Sequence, residues 1–131
     1  WQLVSLTGEK ISLSDLKGKL VLIDFFYKSC YPCVLALPGL QALHEKFNSR
    51  GMRVIGIDLF DESESELAAF LAKKGVTYAV LMDGEEVAKD YHVKGYPTMY
   101  LIDKNGKIIF AKLGYNENLE KTIGELILKN L

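Results

Sequence analysis

One segment near the start of the chain limits the fold more than any other. The residues Leu20-Val21-Leu22-Ile23-Asp24-Phe25-Phe26 form an almost unbroken apolar run that is rich in β-branched and aromatic side chains. A strand with one face in water alternates between apolar and polar residues, whereas a continuous run is typical of a strand covered on both faces. We therefore expect residues 20–26 to be a central strand of an α/β domain.

The rest of the chain alternates between short β-branched runs and longer segments with helical spacing. Ser63 begins one helical pattern, Glu66 follows three residues later as in a capping box, and Gly75 ends the pattern. Asn105 and Gly106 form the pair that most strongly favours a tight hairpin. The sequence predicts strands at 52–57, 77–81, 98–102 and 107–112, helices at 35–47, 63–74 and 116–131, and a short helix or turn at 85–91.

This order of elements predicts the topology. Strands and helices alternate through the first two thirds of the chain, and a hairpin and a final helix follow. We therefore expect a mixed sheet, parallel in its first half and antiparallel in its second, with helices on both faces. Residues 1–19 are expected to add a strand pair and a helical turn at Ser14-Asp15-Leu16.

Length and composition exclude several classes of protein. A chain of 131 residues fits one domain, residues 1–131, and its 49% hydrophobic content is enough for a sizeable core. A net charge of −1 offers no basic face for nucleic acid, and no apolar run approaches the length of about 18 residues that suggests a membrane span. Because the sequence begins at Trp1 rather than Met, we expect it to be part of a longer protein.

The only two cysteines stand in the sequence Cys30-Tyr31-Pro32-Cys33, between the predicted central strand and a helix. A helix N-terminus presents unpaired N–H groups and a partial positive charge, which stabilise a thiolate, the form that attacks disulfides. Pro32 suits the first helical turn, where its missing N–H is not needed. A second sulfur two residues away can resolve a mixed disulfide that the first has formed. The motif therefore predicts a redox-active pair.

Three other interpretations of the cysteine pair are open. A structural zinc site needs about four ligands, and only His44 and His92 could complete one, although His44 is expected on a helix surface. An inert disulfide would add little stability in so short a loop. Two buried free thiols are the third alternative. The position between a strand and a helix favours redox chemistry over all three.

Further motifs resemble the thioredoxin superfamily. Asp24 lies six residues before Cys30, the cysteines form a Cys-x-Pro-Cys motif, and Pro38 lies eight residues after Cys30. Gly95-Tyr96-Pro97-Thr98 resembles the Gly-x-Pro-Thr segment of that family, in which the proline is cis and faces the disulfide.

Along nearly its whole length the chain is similar to the TlpA/ResA-like thiol–disulfide oxidoreductases, which are AhpC/TSA–redoxin-type domains. The similar segments are residues 11–19, 66–83 and 100–107, whereas Ser29 and Ala36 differ from a tryptophan and an acidic residue common in that group. The resemblance implies a thioredoxin fold, with an N-terminal strand extension and an extra helix–strand insertion.

The resemblance also implies roles for the catalytic residues. Cys30 is expected to be an exposed nucleophile with a depressed pKa, and Cys33 a more buried thiol that resolves the mixed disulfide. Asp24 is either a proton acceptor for Cys33, acting through a water molecule, or a core carboxylate satisfied by hydrogen bonds. Both interpretations of Asp24 stay open.

Substrate contacts and structural roles are expected from the remaining motif residues. A cis Pro97 would expose the backbone of Tyr96 for strand-like pairing with a substrate peptide. Tyr31, Val34 and Tyr96 either form an apolar docking surface or take part in ordinary packing. Pro38 is expected to kink its helix, which is a structural role.

The main functional hypothesis is a disulfide reductase whose partners are protein thiols and disulfides and an upstream thiol electron donor. It would need no cofactor and no metal and would act as a monomeric domain. The resemblance implies an extracytoplasmic location, in the bacterial periplasm or cell envelope, as the C-terminal domain of a longer secreted or anchored protein. The alternatives are a thiol peroxidase of the peroxiredoxin type, or a thioredoxin-fold binding module without activity. Peroxiredoxins carry Thr or Ser three residues before the reactive cysteine, where this chain has Tyr27.

Overall fold

The computed structural model describes all of residues 1–131. The order of elements agrees with the sequence prediction, and Leu20–Phe26 and Thr98–Ile102 are strands with the predicted bounds. The strands are β1 Gln2–Val4, β2 Lys10–Ser12, β3 Leu20–Phe26, β4 Met52–Asp58, β5 Ala79–Leu81, β6 Thr98–Ile102 and β7 Ile108–Leu113. The helices are α1 Tyr31–Phe47, α2 Glu64–Lys73, α3 Glu85–Asp90 and α4 Leu119–Asn130, with short 3-10 turns at Leu13–Leu16 and Asn48–Arg50.

The main sheet has five strands in the order β5-β4-β3-β6-β7. Strands β3, β4 and β5 are parallel, whereas β6 and β7 are antiparallel to their neighbours. This confirms the predicted mixed sheet with β3 at its centre. In the register, Asp24 of β3 lies opposite Gly56 of β4 on one side and Met99 of β6 on the other.

Helices cover both faces of this sheet, so the core has two parts. The larger part, which we call the α1 face, packs α1, α2 and α4 against alternate residues of β3, including Leu20, Leu22 and Phe26. The smaller part packs α3 and the turn at Leu13–Leu16 against the intervening residues of the same strand, including Val21 and Phe25. Every residue of β3 is buried, as expected for a strand that is covered on both faces.

Helix α1 begins at Tyr31, four residues before the predicted start at Leu35. Cys30 serves as the N-cap and Pro32 occupies the first turn, where a missing N–H is tolerated. Pro38 lies inside this helix with its side chain exposed, so the helix passes through the proline without ending there. The cysteines are thus held by the start of a 17-residue helix.

The N-terminal residues cover the outer edge of β5. Ser5 forms a bridge with Leu81, the N–H of Leu6 donates to the carbonyl of Val80 over 3.0 Å, and the N–H of Met82 donates to the carbonyl of Val4 over 3.2 Å. Strand β7 forms the opposite edge of the sheet. None of the helices has the length and apolar character that crossing a bilayer requires.

Candidate active site

Cys30 and Cys33 meet at the N-terminus of α1, where they form a disulfide with their Cα atoms 5.2 Å apart. Cys30 is the N-cap, and its Sγ atom accepts a hydrogen bond from the backbone N–H of Cys33 over 3.3 Å. The sulfur therefore lies where the helix presents its unpaired N–H groups and its positive end. This arrangement can stabilise a thiolate on Cys30 when the pair is reduced.

Both cysteines are largely shielded from solvent. Cys33 is 1% exposed, as expected for the more buried partner, but Cys30 is only 5% exposed. The expectation of an exposed Cys30 is therefore wrong for the disulfide form. The physical reason is the capping geometry: the side chain folds back over the first helical turn, and the bond to Cys33 holds it there.

Asp24 is a fully buried carboxyl group on the α1 face of the sheet, the face that also holds both cysteines. Neither carboxyl oxygen has a hydrogen-bond partner within the protein. Burial in these surroundings raises the pKa of Asp24 from 3.8 to about 8. No side-chain or backbone group of the protein satisfies this carboxyl, and a group with this pKa can exchange a proton near neutral pH.

The segment before β6 carries the predicted proline. The Tyr96–Pro97 peptide bond is cis, and Pro97 is buried. Hydrogen bonds fix the segment on both sides of Tyr96: the Thr98 hydroxyl donates to the Gly95 carbonyl over 2.6 Å, and the Gly114 N–H donates to the Pro97 carbonyl over 2.8 Å. The backbone N–H and C=O of Tyr96 itself make no hydrogen bond within the chain, so they are free to pair with another peptide.

Three aromatic rings pack edge to face beside this segment, and we call Tyr27, Phe60 and Tyr96 the aromatic trio. The ring centroids are 5.1 Å apart for Tyr27 and Phe60, and 5.5 Å apart for each of the other two pairs. Phe60 is 57% exposed although it is a large apolar side chain. Sequence analysis missed Tyr27 and Phe60. Their positions just after β3 and β4 are the signal, because parallel strands end at the same edge of a sheet.

Tyr31 and Val34 behave differently from one another. The Tyr31 side chain is 73% exposed and makes no ring contact with the aromatic trio, whereas Val34 is half-buried. The nearby Leu35 is 40% exposed. The first turn of α1 thus carries exposed apolar side chains at Tyr31 and Leu35, in addition to the exposed ring of Phe60 in the aromatic trio.

A network of carboxyl groups ties the segment before Cys30 to the segment after β4. Asp61 accepts a hydrogen bond from the Lys28 backbone N–H over 2.8 Å, and Asp58 accepts one from the Asp61 N–H over 3.0 Å. The Lys28 ammonium lies 3.9 Å from the carboxylates of Asp61 and Glu66. Burial raises the pKa of Asp58, and its hydrogen bond with the Asp61 side chain adds to that effect. These contacts fix the loop that leads into the cysteine pair.

Comparison with known proteins identifies this arrangement. The family model for the AhpC/TSA family matches residues 1–111, which include both cysteines, Asp24 and Pro97. This chain belongs to the AhpC/TSA family. It is a TlpA/ResA-like domain of the thioredoxin superfamily, as the order and spacing of its motifs predicted.

Curated relatives of the domain are named as thiol-disulfide oxidoreductases or as thioredoxin-like. The chain is 36% identical over 110 residues to the thiol-disulfide oxidoreductase ResA of Bacillus thuringiensis, which is 83% of this chain and 63% of that protein. It is 34% identical over 110 residues to the thioredoxin-like protein YneN of Bacillus subtilis, which is 82% of this chain and 64% of that protein. The match thus spans a little under two thirds of the length of these relatives.

Solved structures confirm the thioredoxin-like α/β fold. A Chlorobium tepidum protein, provisionally assigned as the thiol:disulfide interchange protein DsbE, superposes with a TM-score of 0.90 at 29% identity and covers 99% of this chain and 92% of that one. The thioredoxin domain of a thiol-disulfide oxidoreductase from Bacteroides vulgatus has a TM-score of 0.85 at 26% identity, with 97% and 92% covered. Both structures are named for thiol–disulfide chemistry, and both share the fold of this domain.

Proposed function

We propose that this domain reduces disulfide bonds in proteins, with Cys30 as the nucleophile and Cys33 as the resolving thiol. The observation that carries the proposal is the capping geometry, in which the Cys30 Sγ atom accepts the Cys33 N–H at the positive end of α1. An anionic sulfur at that position gains a charge-assisted hydrogen bond and a favourable helix dipole. Both effects favour the reactive thiolate at neutral pH.

The first step joins the domain to its substrate. The Cys30 thiolate attacks one sulfur of a substrate disulfide, a new S–S bond forms between Cys30 and that sulfur, and the substrate S–S bond breaks. The second substrate sulfur leaves as a thiolate and takes a proton from solvent. The helix N-terminus that stabilised the thiolate now faces a neutral mixed disulfide.

The second step releases the product and oxidises the domain. Asp24 accepts the proton of the Cys33 thiol, and the Cys33 thiolate attacks Cys30. The Cys30–Cys33 bond forms, and the remaining substrate sulfur leaves as a thiolate that is then protonated. The substrate disulfide has gained two electrons and the cysteine pair has lost two, so the cycle closes when an upstream dithiol donor reduces the pair.

Substrate binding is assigned to the surface that surrounds the disulfide. The unpaired backbone groups of Tyr96 offer hydrogen bonds to an extended peptide, in the manner of strand addition. The exposed faces of Phe60 and Tyr31 offer apolar contacts to a substrate. Tyr31, Tyr96 and Pro97 are thus the proposed substrate-binding residues, and the aromatic trio adds Tyr27 and Phe60.

We place the protein outside the cytoplasm, in the periplasm or cell envelope, in keeping with the names of its thiol-disulfide oxidoreductase and interchange relatives. Residues 1–131 then act as a single monomeric domain of a longer chain. Its partners are protein disulfides and a thiol electron donor.

Insulin reduction tests the proposed activity directly. The dithiol form should reduce insulin and precipitate its B chain when a chemical dithiol regenerates the pair, and it should consume little hydrogen peroxide under the same conditions. A peroxidase would show the reverse pattern. Replacement of both cysteines by serine is the matched control, since insulin reduction by that variant would rule out the cysteine pair as the active group.

A further inference from the structure

A second buried polar side chain lies near Asp24. Tyr78, just before β5, is 5% exposed, and its hydroxyl group has no hydrogen-bond partner within the protein. It belongs to the core on the α1 face together with both cysteines. Burying a hydroxyl without a partner costs free energy, and phenylalanine would fill the same space without that cost. A functional role for the Tyr78 hydroxyl would explain why this position is not phenylalanine.

Gly56 explains where the Tyr78 ring points. Gly56 lies between Asp24 on β3 and Val80 on β5 in the strand register. A Cβ atom at Gly56 would lie 3.4 Å from Cε1 of Tyr78 and 3.1 Å from Cε1 of Phe26. The Tyr78 ring thus packs over Gly56 of β4, the residue that lies opposite Asp24 in the strand register. The ring atom nearest Gly56 is Cε1, which is adjacent to the carbon that bears the hydroxyl. The charge of Asp24 is near enough to raise the pKa of Tyr78, in addition to burial.

Tyr78 also lines a cavity at the protein surface. His44 of α1 packs edge to face against the Tyr78 ring, with centroids 6.1 Å apart, and its Nδ1 atom is buried without a hydrogen-bond partner. This half-buried position corrects the expectation of a surface histidine. This cavity of about 550 Å³ has a mixed lining: apolar residues such as Leu71 and Val80 form much of it, and His44, Glu9 and Arg53 add polar and charged groups.

Burial lowers the pKa of His44 and the nearby Arg53 charge lowers it further, whereas Glu45 opposes both effects. The lowered pKa favours the neutral imidazole, which has one nitrogen that donates a hydrogen bond and one that accepts. Tyr78 thus contacts the His44 ring and lies near enough to Asp24 for the carboxylate charge to affect it, and all three side chains carry buried polar atoms without a partner in the protein.

We propose that Tyr78 is a positioning residue for the proton of Asp24, and that its hydroxyl connects the buried carboxyl group to the cavity beside His44. The proton that Asp24 takes from Cys33 then leaves through this cavity beside β5, and not through the surface that binds the substrate. A water molecule bridges the Tyr78 hydroxyl and the carboxyl group, since buried waters commonly join such groups. This inference rests on the proposed role of Asp24 in the catalytic cycle.

Replacing Tyr78 with phenylalanine tests the connection while keeping the ring. The readout is the pKa of Asp24, followed by the ¹³C shift of its carboxyl carbon in the disulfide form, where no cysteine titrates. We expect Tyr78→Phe to raise that pKa by at least about half a unit, because the hydroxyl stabilises the carboxylate. Tyr100→Phe, on the opposite face, removes a hydroxyl that donates to the Tyr91 carbonyl and is the matched control. It should leave the Asp24 pKa unchanged.

A second measurement uses the unaltered chain, so it remains informative if Tyr78→Phe does not fold. The ¹³Cζ signal of Tyr78 should change with the midpoint of the Asp24 titration, and the change should vanish in Asp24→Asn. The inference is overturned if the pKa of Asp24 is the same in Tyr78→Phe and in the unaltered protein. It is also overturned if the Tyr78 signal does not change as Asp24 titrates. Failure of insulin reduction by the unaltered protein would overturn the proposed function instead, because both titrations are read without any turnover.

Discussion

The sulfur of Cys30 accepts a hydrogen bond from the backbone N–H of Cys33 over 3.3 Å, so the two cysteines are linked by the helix backbone as well as by their disulfide. Reduction breaks the S–S bond but leaves the helix start and its N–H groups in place. The same donor then faces the Cys30 thiolate.

The first prediction follows from this relationship. In Cys33→Ser, the pH dependence of Cys30 alkylation should have a midpoint at least about one unit below the value of about 8.5 for a free thiol. The helix N-terminus and the N–H donor stabilise only the ionised form. Cys30→Ser is the control, since its remaining Cys33 lacks the N-cap position and should react more slowly. A Cys30 midpoint at or above 8.5 would contradict the proposed nucleophile.

The second prediction separates the roles of the two cysteines. Cys33→Ser should accumulate mixed disulfides with protein substrates on non-reducing gels, because the resolving thiol is missing. Cys30→Ser should trap little, since Cys33 is the more buried of the two and lies inside the first turn of α1, whereas Cys30 is the N-cap. The opposite result, with trapping only in Cys30→Ser, would exchange the roles.

The third prediction concerns stability and Asp24. Its pKa is raised from 3.8 to about 8, so the folded protein holds a proton that the unfolded chain releases. The contribution of Asp24 to the free energy of unfolding should therefore be most favourable below about pH 4, and it should become less favourable as the pH rises to about 8. Asp24→Asn removes the effect and should stabilise the protein by on the order of 2–4 kcal/mol at pH 7.

Urea denaturation at pH 4, 6 and 8 measures this difference. The advantage of Asp24→Asn should grow with pH, and the same variant should slow insulin reduction. Asp90→Asn, at the exposed end of α3, is the control and should change neither quantity. A stability difference that is independent of pH would show that Asp24 titrates normally.

The fourth prediction concerns the aromatic trio. Phe60→Ala should raise the KM for insulin by about 2-fold to 10-fold, the range that corresponds to one lost aromatic contact. Reduction of a small aromatic disulfide should change little, because such a substrate does not extend beyond the cysteine pair. Leu128→Ala removes a similarly exposed apolar side chain from α4 and should leave both reactions unchanged. An equal loss of activity toward insulin and toward the small disulfide would indicate that Phe60→Ala disturbs the active site, and that Phe60 is not a substrate contact.

Sequence patterns were sufficient for the five strands of the main sheet and for its division into a parallel and an antiparallel half. The apolar runs at Leu20–Phe26 and Thr98–Ile102 were found with their bounds, because strands buried on both faces are almost continuously apolar. The apolar spacing began α1 only at Leu35, whereas Pro32 and the cysteine motif indicated its first turn; the cap itself has no ordinary signal, because a cysteine sulfur takes the place of an oxygen acceptor.

Contacts between distant segments explain what the sequence did not reveal of the site. Tyr27 and Phe60 are separated by 33 residues and meet only because β3 and β4 are parallel neighbours. Tyr78 was assigned to a predicted strand, whereas it precedes β5 and turns its ring across β4 at Gly56. Neither packing arrangement has a local pattern, since each depends on which strands are adjacent.

The covered edge of β5 also limits how copies of this domain can associate. Ser5 and its neighbours already occupy hydrogen-bonding groups on that side, so within the five-stranded sheet only the β7 edge is left uncovered. Continued growth by strand addition to one sheet requires two open edges. Association through the main sheet therefore ends at a pair of domains joined at β7.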